Sequence, residues 1–152
     1  MEHIVIGYDH TPPAQGALSW AIDYAGRSGA ELVLVYVISS AWEWELSAVQ
    51  VNPDPIRREI TELLRQSWTE PVRAAGIKYQ TEVTIGRPAE VLLASARRHE
   101  ASLIVLGMTG RGTLGELVLS STSRQVAHHA IRPIVTVPAG WVAGETGNAS
   151  TP

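Results

Sequence analysis

The sequence contains no cysteine and only one lysine, Lys78. Without cysteine there can be no disulfide, no thiol redox chemistry and no cysteine-based zinc site. A Walker-type phosphate loop needs a lysine directly after its second glycine, and Lys78 lies far from any glycine-rich loop. The sequence therefore excludes a P-loop NTPase. Hydrophobic residues make up 45% of the chain but never form a long uninterrupted run, so no membrane span is expected.

Positive charge is not in excess either. The formal net charge is -3 and the cations are scattered along the chain, which argues against a nucleic-acid partner. The amino terminus has no charged region, apolar stretch or small-residue cleavage site of the kind that an export signal requires, so we expect a cytoplasmic protein. No cluster of carboxylates predicts an independent metal site.

Short apolar runs alternate with segments of helical period, a pattern typical of a parallel sheet covered by helices. The prediction is an α/β fold with an open five-stranded parallel sheet, helices on both faces (Rossmann-like) and strand order 3-2-1-4-5. Residues 1–138 form one domain and residues 139–152 a flexible tail. Residues 39–52 are interpreted as a long connection, and Pro71 should kink or end the helix that begins near Asp54. The predicted strands are residues 4–8, 32–38, 78–85, 103–107 and 134–137.

The fourth predicted strand opens into a glycine-rich loop that ends in a cluster of hydroxyls. Glycines let a backbone approach an anion closely, and a helix N-terminus offers unpaired N–H groups. This favours a noncovalent phosphate site, with Asp9 at the end of the first strand available to a ribose. The alternative is that the glycines only shape a surface loop and the serines only cap a helix. The candidate phosphate ligands are the backbone from Gly107 to Gly110 and the side chains of Arg111, Ser120, Ser121 and Thr122.

A nicotinamide enzyme is disfavoured, because the first strand leads into Asp9 and two prolines rather than into a glycine fingerprint. Rapid ATP turnover is also not expected. His10 is the only evident general base near a γ-phosphate, and no lysine is available to stabilise charge there. At most, slow ATP hydrolysis or phosphotransfer remains open.

The segment from Gly107 resembles the signature of the universal stress protein family: a glycine, two residues, a glycine, nine residues, then a glycine followed by Ser or Thr. Gly107, Gly110 and Ser121 match this pattern, and Ser120 stands where the ATP-binding members have glycine. If that position needs a positive φ, serine costs strain; if φ is ordinary, its hydroxyl becomes a further donor. The first strand up to Asp9 and the later turns and strands resemble the family as well, in order and over nearly the whole chain.

The resemblance implies an adenine nucleotide alpha hydrolase-like fold and a homodimer paired through Ile134–Val137. It also implies that ATP, or AMP or ADP, is bound with Mg²⁺ or Mn²⁺ arriving only through the phosphates. A nucleotide-free dimeric interaction module is the alternative that the family leaves open. In the implied site, Asp9 meets the ribose, the backbone at Val37 reads the adenine edge, Gly7 and Leu106 line the floor, and Gly107, Gly110, Ser120, Ser121 and Thr122 surround the ribose and phosphates.

Overall fold

The sheet contains five parallel strands in the order β3-β2-β1-β4-β5, as predicted. The computed structural model describes residues 1–108 and 119–144. The three central strands, β2, β1 and β4, coincide with runs of aliphatic residues that are buried on both faces of the sheet, which is usual for parallel strands. The strands are β1 (His3–Gly7), β2 (Glu31–Ser39), β3 (Tyr79–Gly86), β4 (Leu103–Gly107) and β5 (Ile134–Val137).

Six helices are found in the described part of the chain, and two of them correct the sequence prediction. The interpretation of residues 39–52 as a connection was wrong, because a nine-residue helix begins at Ser40. Pro71 neither kinks nor ends the helix before it. That helix already ends at Gln66, and Pro71 lies in the first turn of the next one, where its missing N–H costs nothing. The helices are α1 (Pro12–Ser28), α2 (Ser40–Ala48), α3 (Asp54–Gln66), α4 (Glu70–Ala74), α5 (Pro88–Arg98) and α6 (Ser121–His129).

Helices cover both faces of the sheet because successive strand residues point to opposite sides. On one face, Ile4 and Ile6 of β1 pack in a cluster with residues of α1, α3 and α4. On the other, Val5 packs with Val33 of β2 and with residues of α5 and α6. No helix in the described ranges is both long and apolar enough to cross a membrane. The cytoplasmic location expected from the sequence stays a prediction.

The register of β1 and β2 leaves part of β2 without a neighbour on one edge. Gly7, the last residue of β1, pairs with Val35, and the Tyr8 amide then donates to the Val35 carbonyl at 3.0 Å. N–H and C=O groups alternate between the two edges of a strand, so the next β1-facing pair belongs to Val37. That pair has no β1 residue opposite it.

The chain after β5 stays close to α1. Trp141 is half-buried against the core cluster on the α1 face, and its amide donates to the Pro138 carbonyl at 3.3 Å. Of the tail predicted from residue 139 onward, residues 145–152 lie outside the described residues.

Candidate functional site

A cavity of about 210 Å³ lies at the carboxyl ends of β1, β2 and β4, where ligands of open α/β sheets bind. We call it the main cavity. Six residues predicted from the sequence line it: Gly7, Asp9, Leu106, Gly107, Ser120 and Thr122. Val37, predicted to act through its backbone, lines it as well. The other lining residues are Tyr8, Thr11, Pro13, Ala14, Val35, Pro88, Leu92 and Ser123.

The lining has two chemically different ends. Val35, Val37 and Leu92 form an aliphatic end over β2 and α5, whereas Ser120, Thr122 and Ser123 bring hydroxyls at the start of α6. An apolar planar group fits the first end, and an anion or polar group fits the second, where helix N–H groups also converge. Val35 and Ser123 were missed in the sequence analysis. Strand alternation could have revealed Val35, since it points to the same side of β2 as Val37.

Two glycines of the site allow close packing within the protein itself. A Cβ atom added at Gly107 would lie 2.3 Å from the carbonyl carbon of Pro13, so glycine lets α1 approach the end of β4. At Gly7 an added Cβ would lie 2.6 Å from Cδ2 of Leu106. These glycines therefore bring β1, β4 and the start of α1 together beneath the cavity, whatever occupies it.

Asp9 is exposed at the mouth of the main cavity and shapes the turn into α1. Its Oδ1 accepts hydrogen bonds from the backbone N–H of Thr11 at 3.1 Å and from the Thr11 hydroxyl at 2.5 Å. Thr11 in turn caps α1, because its Oγ1 accepts from the amide of Ala14. One carboxylate oxygen of Asp9, the residue predicted to bind a ribose, is thus already hydrogen-bonded within the protein. The role of Asp9 toward a ribose stays a prediction.

Ser120 has an ordinary backbone conformation, with φ -63° and ψ 161°. Serine at this position therefore brings no left-handed strain. Its hydroxyl acts as the N-cap of α6: it accepts from the Ser123 amide at 3.0 Å and donates to the Ser123 hydroxyl at 3.0 Å. The Ser120 hydroxyl is consequently committed to the helix rather than free as a further donor.

The remaining predicted phosphate ligands are not all found in the lining of the main cavity. Thr122 lines the main cavity, but its neighbour Ser121 is exposed and is not part of the lining. Gly110 and Arg111 lie outside the described residues, as does the rest of the loop from 109 to 118.

His10 belongs to an aromatic cluster beside the main cavity that the sequence did not reveal. His10 is exposed, but its ring stacks on Trp68 with centroids 4.6 Å apart and planes 9° apart. Trp68 also stacks on Tyr36. The cluster brings together residues from the segment after β1, from β2 and from the α3–α4 turn, which are far apart in sequence.

Tyr8 anchors this cluster from below, since its hydroxyl lies 2.9 Å from Nδ1 of His10. Burial, reinforced by the negative charge of Asp9, raises the pKa of Tyr8 to about 12. Tyr8 therefore keeps its hydroxyl proton near neutral pH, and its hydroxyl shares a hydrogen bond with Nδ1 of His10. His10 has φ 62°, an uncommon conformation that its backbone carbonyl secures by accepting from Nε2 of Gln15 at 2.9 Å.

Taken together, an open parallel sheet and a cavity beyond its strand ends, at β1 and β4 where the strand order reverses, define an α/β domain of the doubly wound type. The sequence profile of the Universal stress protein family matches residues 1–138. The chain belongs to the universal stress protein family.

Curated relatives agree with this assignment. The chain is 31% identical over 143 residues to a universal stress protein of Mycolicibacterium smegmatis, covering 88% of this chain and 45% of that protein. It is 30% identical over 135 residues to a universal stress protein of Thermus aquaticus, covering 88% of this chain and 96% of that one. The chain thus spans about half the length of some of its relatives and nearly all of others.

Solved structures show the same fold. Universal stress protein UspA from Lactobacillus plantarum aligns with a TM-score of 0.70 and 25% identity, covering 90% of this chain and 97% of that chain. A universal stress protein in complex with cAMP aligns with a TM-score of 0.66 at 21% identity, covering 91% of this chain and 97% of that chain. One from Archaeoglobus fulgidus in complex with dAMP aligns with a TM-score of 0.65 at 20% identity, covering 90% of this chain and 98% of that chain.

Proposed function

We propose that this universal stress protein binds an adenine nucleotide, ATP in the first instance, in the main cavity. The base lies at the aliphatic end over Val35 and Leu92, and the phosphates lie toward the hydroxyls at the start of α6. Mg²⁺ or Mn²⁺ would arrive with the phosphates. A nucleotide bound in the main cavity would stabilise the start of α6 and the neighbouring strand β5. A dimer paired through β5 would then respond to nucleotide binding.

The observation that carries this proposal is the free backbone edge of Val37 inside the cavity. Its N–H and C=O face the side where β1 has ended. Adenine presents a ring nitrogen that accepts and an amino group that donates next to each other, which is the complement of one strand residue's N–H and C=O. A backbone N–H and C=O that a ligand shields from water also need hydrogen-bond partners, which an adenine base supplies. The related structures that hold cAMP and dAMP support the choice of an adenine nucleotide.

Calorimetric titration of the protein with ATP, ADP and AMP tests the proposal. We expect saturable binding of at least one of the three, and we expect Thr122→Ala to weaken it roughly tenfold, because a hydroxyl bonded to a charged oxygen is lost. Ser121→Ala is the matched control, since Ser121 lies next to Thr122 on the same turn but does not line the cavity. Equal losses in both variants would place the phosphates elsewhere.

A nucleotide-free dimeric interaction module is the second candidate, and one observation favours it. Two side chains predicted to bind the nucleotide already have hydrogen-bond partners within the protein: the Ser120 hydroxyl caps α6, and the Asp9 carboxylate accepts from Thr11. For this candidate, protein extracted with heat would release no adenine nucleotide, and added ATP would not raise the melting temperature.

A further inference from the structure

A second cavity of about 210 Å³, open to solvent on one side, is lined by the end of β2 and by residues of α2 and α3. We call it the side cavity. Val37 lines both cavities, so they adjoin at the strand edge where we place the base. The lining of the side cavity consists of Tyr36, Val37, Ile38, Ser39, Trp42 and Ile60.

Among the described residues the lining carries no charged side chain. The hydroxyls of Tyr36 and Ser39 and the indole N–H of Trp42 are its polar side-chain groups, and the aliphatic and aromatic surfaces of the same set of residues leave room for an apolar occupant. Apolar cavities of about 150 Å³ in proteins hold a benzene molecule. The side cavity is therefore large enough for one aromatic ring or a short branched hydrocarbon chain.

Helix α2 borders the side cavity and makes few contacts with the rest of the protein. None of its residues is fully buried, and its N-cap residue, Ser39, makes no capping hydrogen bond through its side chain. Trp42 is half-buried where it faces the cavity, whereas Trp44 is 77% exposed. An isolated helix of this length is marginal in water, so contacts from below would stabilise it.

We propose that the side cavity receives an apolar substituent attached to the exocyclic amino group of adenine. The protein would then prefer N6-substituted adenine nucleotides to unsubstituted ones. This inference rests on the proposed nucleotide function, because it requires the base to lie against Val37. An amino group with one substituent keeps one N–H, which can still donate to the Val37 carbonyl.

Titration with ATP and with N6-benzyl-ATP, in parallel, tests the inference. We expect the benzyl derivative to bind about tenfold more tightly than ATP, because its ring leaves water for an apolar cavity. Trp42→Ala should remove that preference while leaving the affinity for ATP unchanged. Trp44→Ala is the matched control, because it removes the same side chain from the same helix outside the lining, and it should keep the preference.

Hydrogen exchange gives an independent measurement. Amides of Ser40–Ala48 should exchange more slowly with N6-benzyl-ATP bound than with ATP bound, since only the substituted ligand contacts α2 from below. Identical exchange of α2 in the two complexes would overturn the inference.

The outcomes separate the two proposals. If ATP binds but N6-benzyl-ATP binds equally or less tightly, the substituent site is wrong and the nucleotide function stands. If the benzyl preference survives Trp42→Ala, the ring lies elsewhere and the inference fails. If neither nucleotide binds, both the inference and the proposed function are wrong.

Discussion

Glu82 is the most heavily hydrogen-bonded acidic side chain in the described part of the structure. It lies on β3 and accepts from the hydroxyl of Ser95 at 3.0 Å and from the guanidinium of Arg98 at 2.7 Å, and Nε2 of His99 lies 2.5 Å from its Oε1. Burial by itself raises the pKa of Glu82, but these hydrogen bonds outweigh it and hold the pKa below its ordinary value. The cluster joins β3 to the end of α5.

This carboxylate makes the stability of the fold depend on pH. Because the pKa of Glu82 is lower in the folded state, the unfolded chain binds the proton more readily, and unfolding is favoured as pH falls. The contribution is fully present above the unfolded pKa of about 4.3 and is lost as pH falls through the folded value. We expect Glu82→Gln to lower the free energy of unfolding at pH 7 by ~1–3 kcal/mol.

Urea unfolding of the wild type and of Glu82→Gln between pH 3 and pH 8 measures this effect. The difference between the two proteins should shrink as the pH falls from the unfolded pKa of Glu82 through its lower folded pKa, because Glu82 is then protonated and as neutral as the glutamine. Glu90→Gln is a suitable control, because the Glu90 side chain is exposed and forms an exposed ion pair with Arg87, at 3.5 Å. A difference that stays constant over the whole pH range would contradict the assignment.

Helix α1 contains two glycines with opposite roles. Gly16 faces the end of β5, where an added Cβ would lie 2.7 Å from the carbonyl oxygen of Pro138. Gly26 is exposed near the end of the helix, and nothing lies within 4 Å of a Cβ added there. One glycine therefore permits close packing, while the other only adds conformational freedom to the unfolded chain.

Alanine substitution at these two positions should change the stability in opposite directions. Gly26→Ala is expected to raise the free energy of unfolding by ~0.5–1 kcal/mol through helix propensity. Gly16→Ala is expected to lower it by ~1–3 kcal/mol, because the backbone of Pro138 must move away. Thermal unfolding followed by circular dichroism measures both, and equal shifts of the same sign would refute this view of α1.

The sheet as a whole ends in two parallel edge strands, β3 and β5. The hydrogen bonds between β4 and β5, from the Ile104 amide to Pro133 and from the Met108 amide to Val137, set which groups of β5 face outward. By alternation, the N–H groups of Ile134 and Thr136 point away from β4. Such an edge invites pairing with a second copy, and the proposed dimer would use it.

Thr136→Pro tests that dimer. The substitution removes an outward N–H and leaves the β4–β5 ladder intact, so a dimer paired through β5 should dissociate while the monomer stays folded. Light scattering at micromolar concentration should report a dimer for the wild type and a monomer for the variant. Thr81→Pro removes an outward N–H from the opposite edge, β3, and should remain dimeric. A wild-type monomer would contradict the proposed dimer.

Much of the architecture follows from local patterns in the sequence. Aliphatic runs such as those of β1 and β4 can bury both faces only in a sheet covered on both sides, and the segments of helical period between them supply the cover. The strand order predicted for such a pattern, 3-2-1-4-5, is confirmed by the sheet. The cluster of hydroxyls after the glycine-rich loop pointed to Thr122, and the family resemblance implied Val37; both line the main cavity.

The rest depended on contacts between residues that are distant in sequence, which no local pattern records. Helix α2 has no buried face, so its sequence carries no clear apolar stripe and was mistaken for a connection. The stack of His10 on Trp68, the side cavity beneath Trp42 and the capping role of Ser120 exist only once the elements have packed. The amino-acid sequence by itself determined the sheet and the end of it at which the main cavity lies, because burial and strand direction are local properties. Tertiary structure alone decided the shape of the cavities and which hydroxyls remain free to meet a ligand.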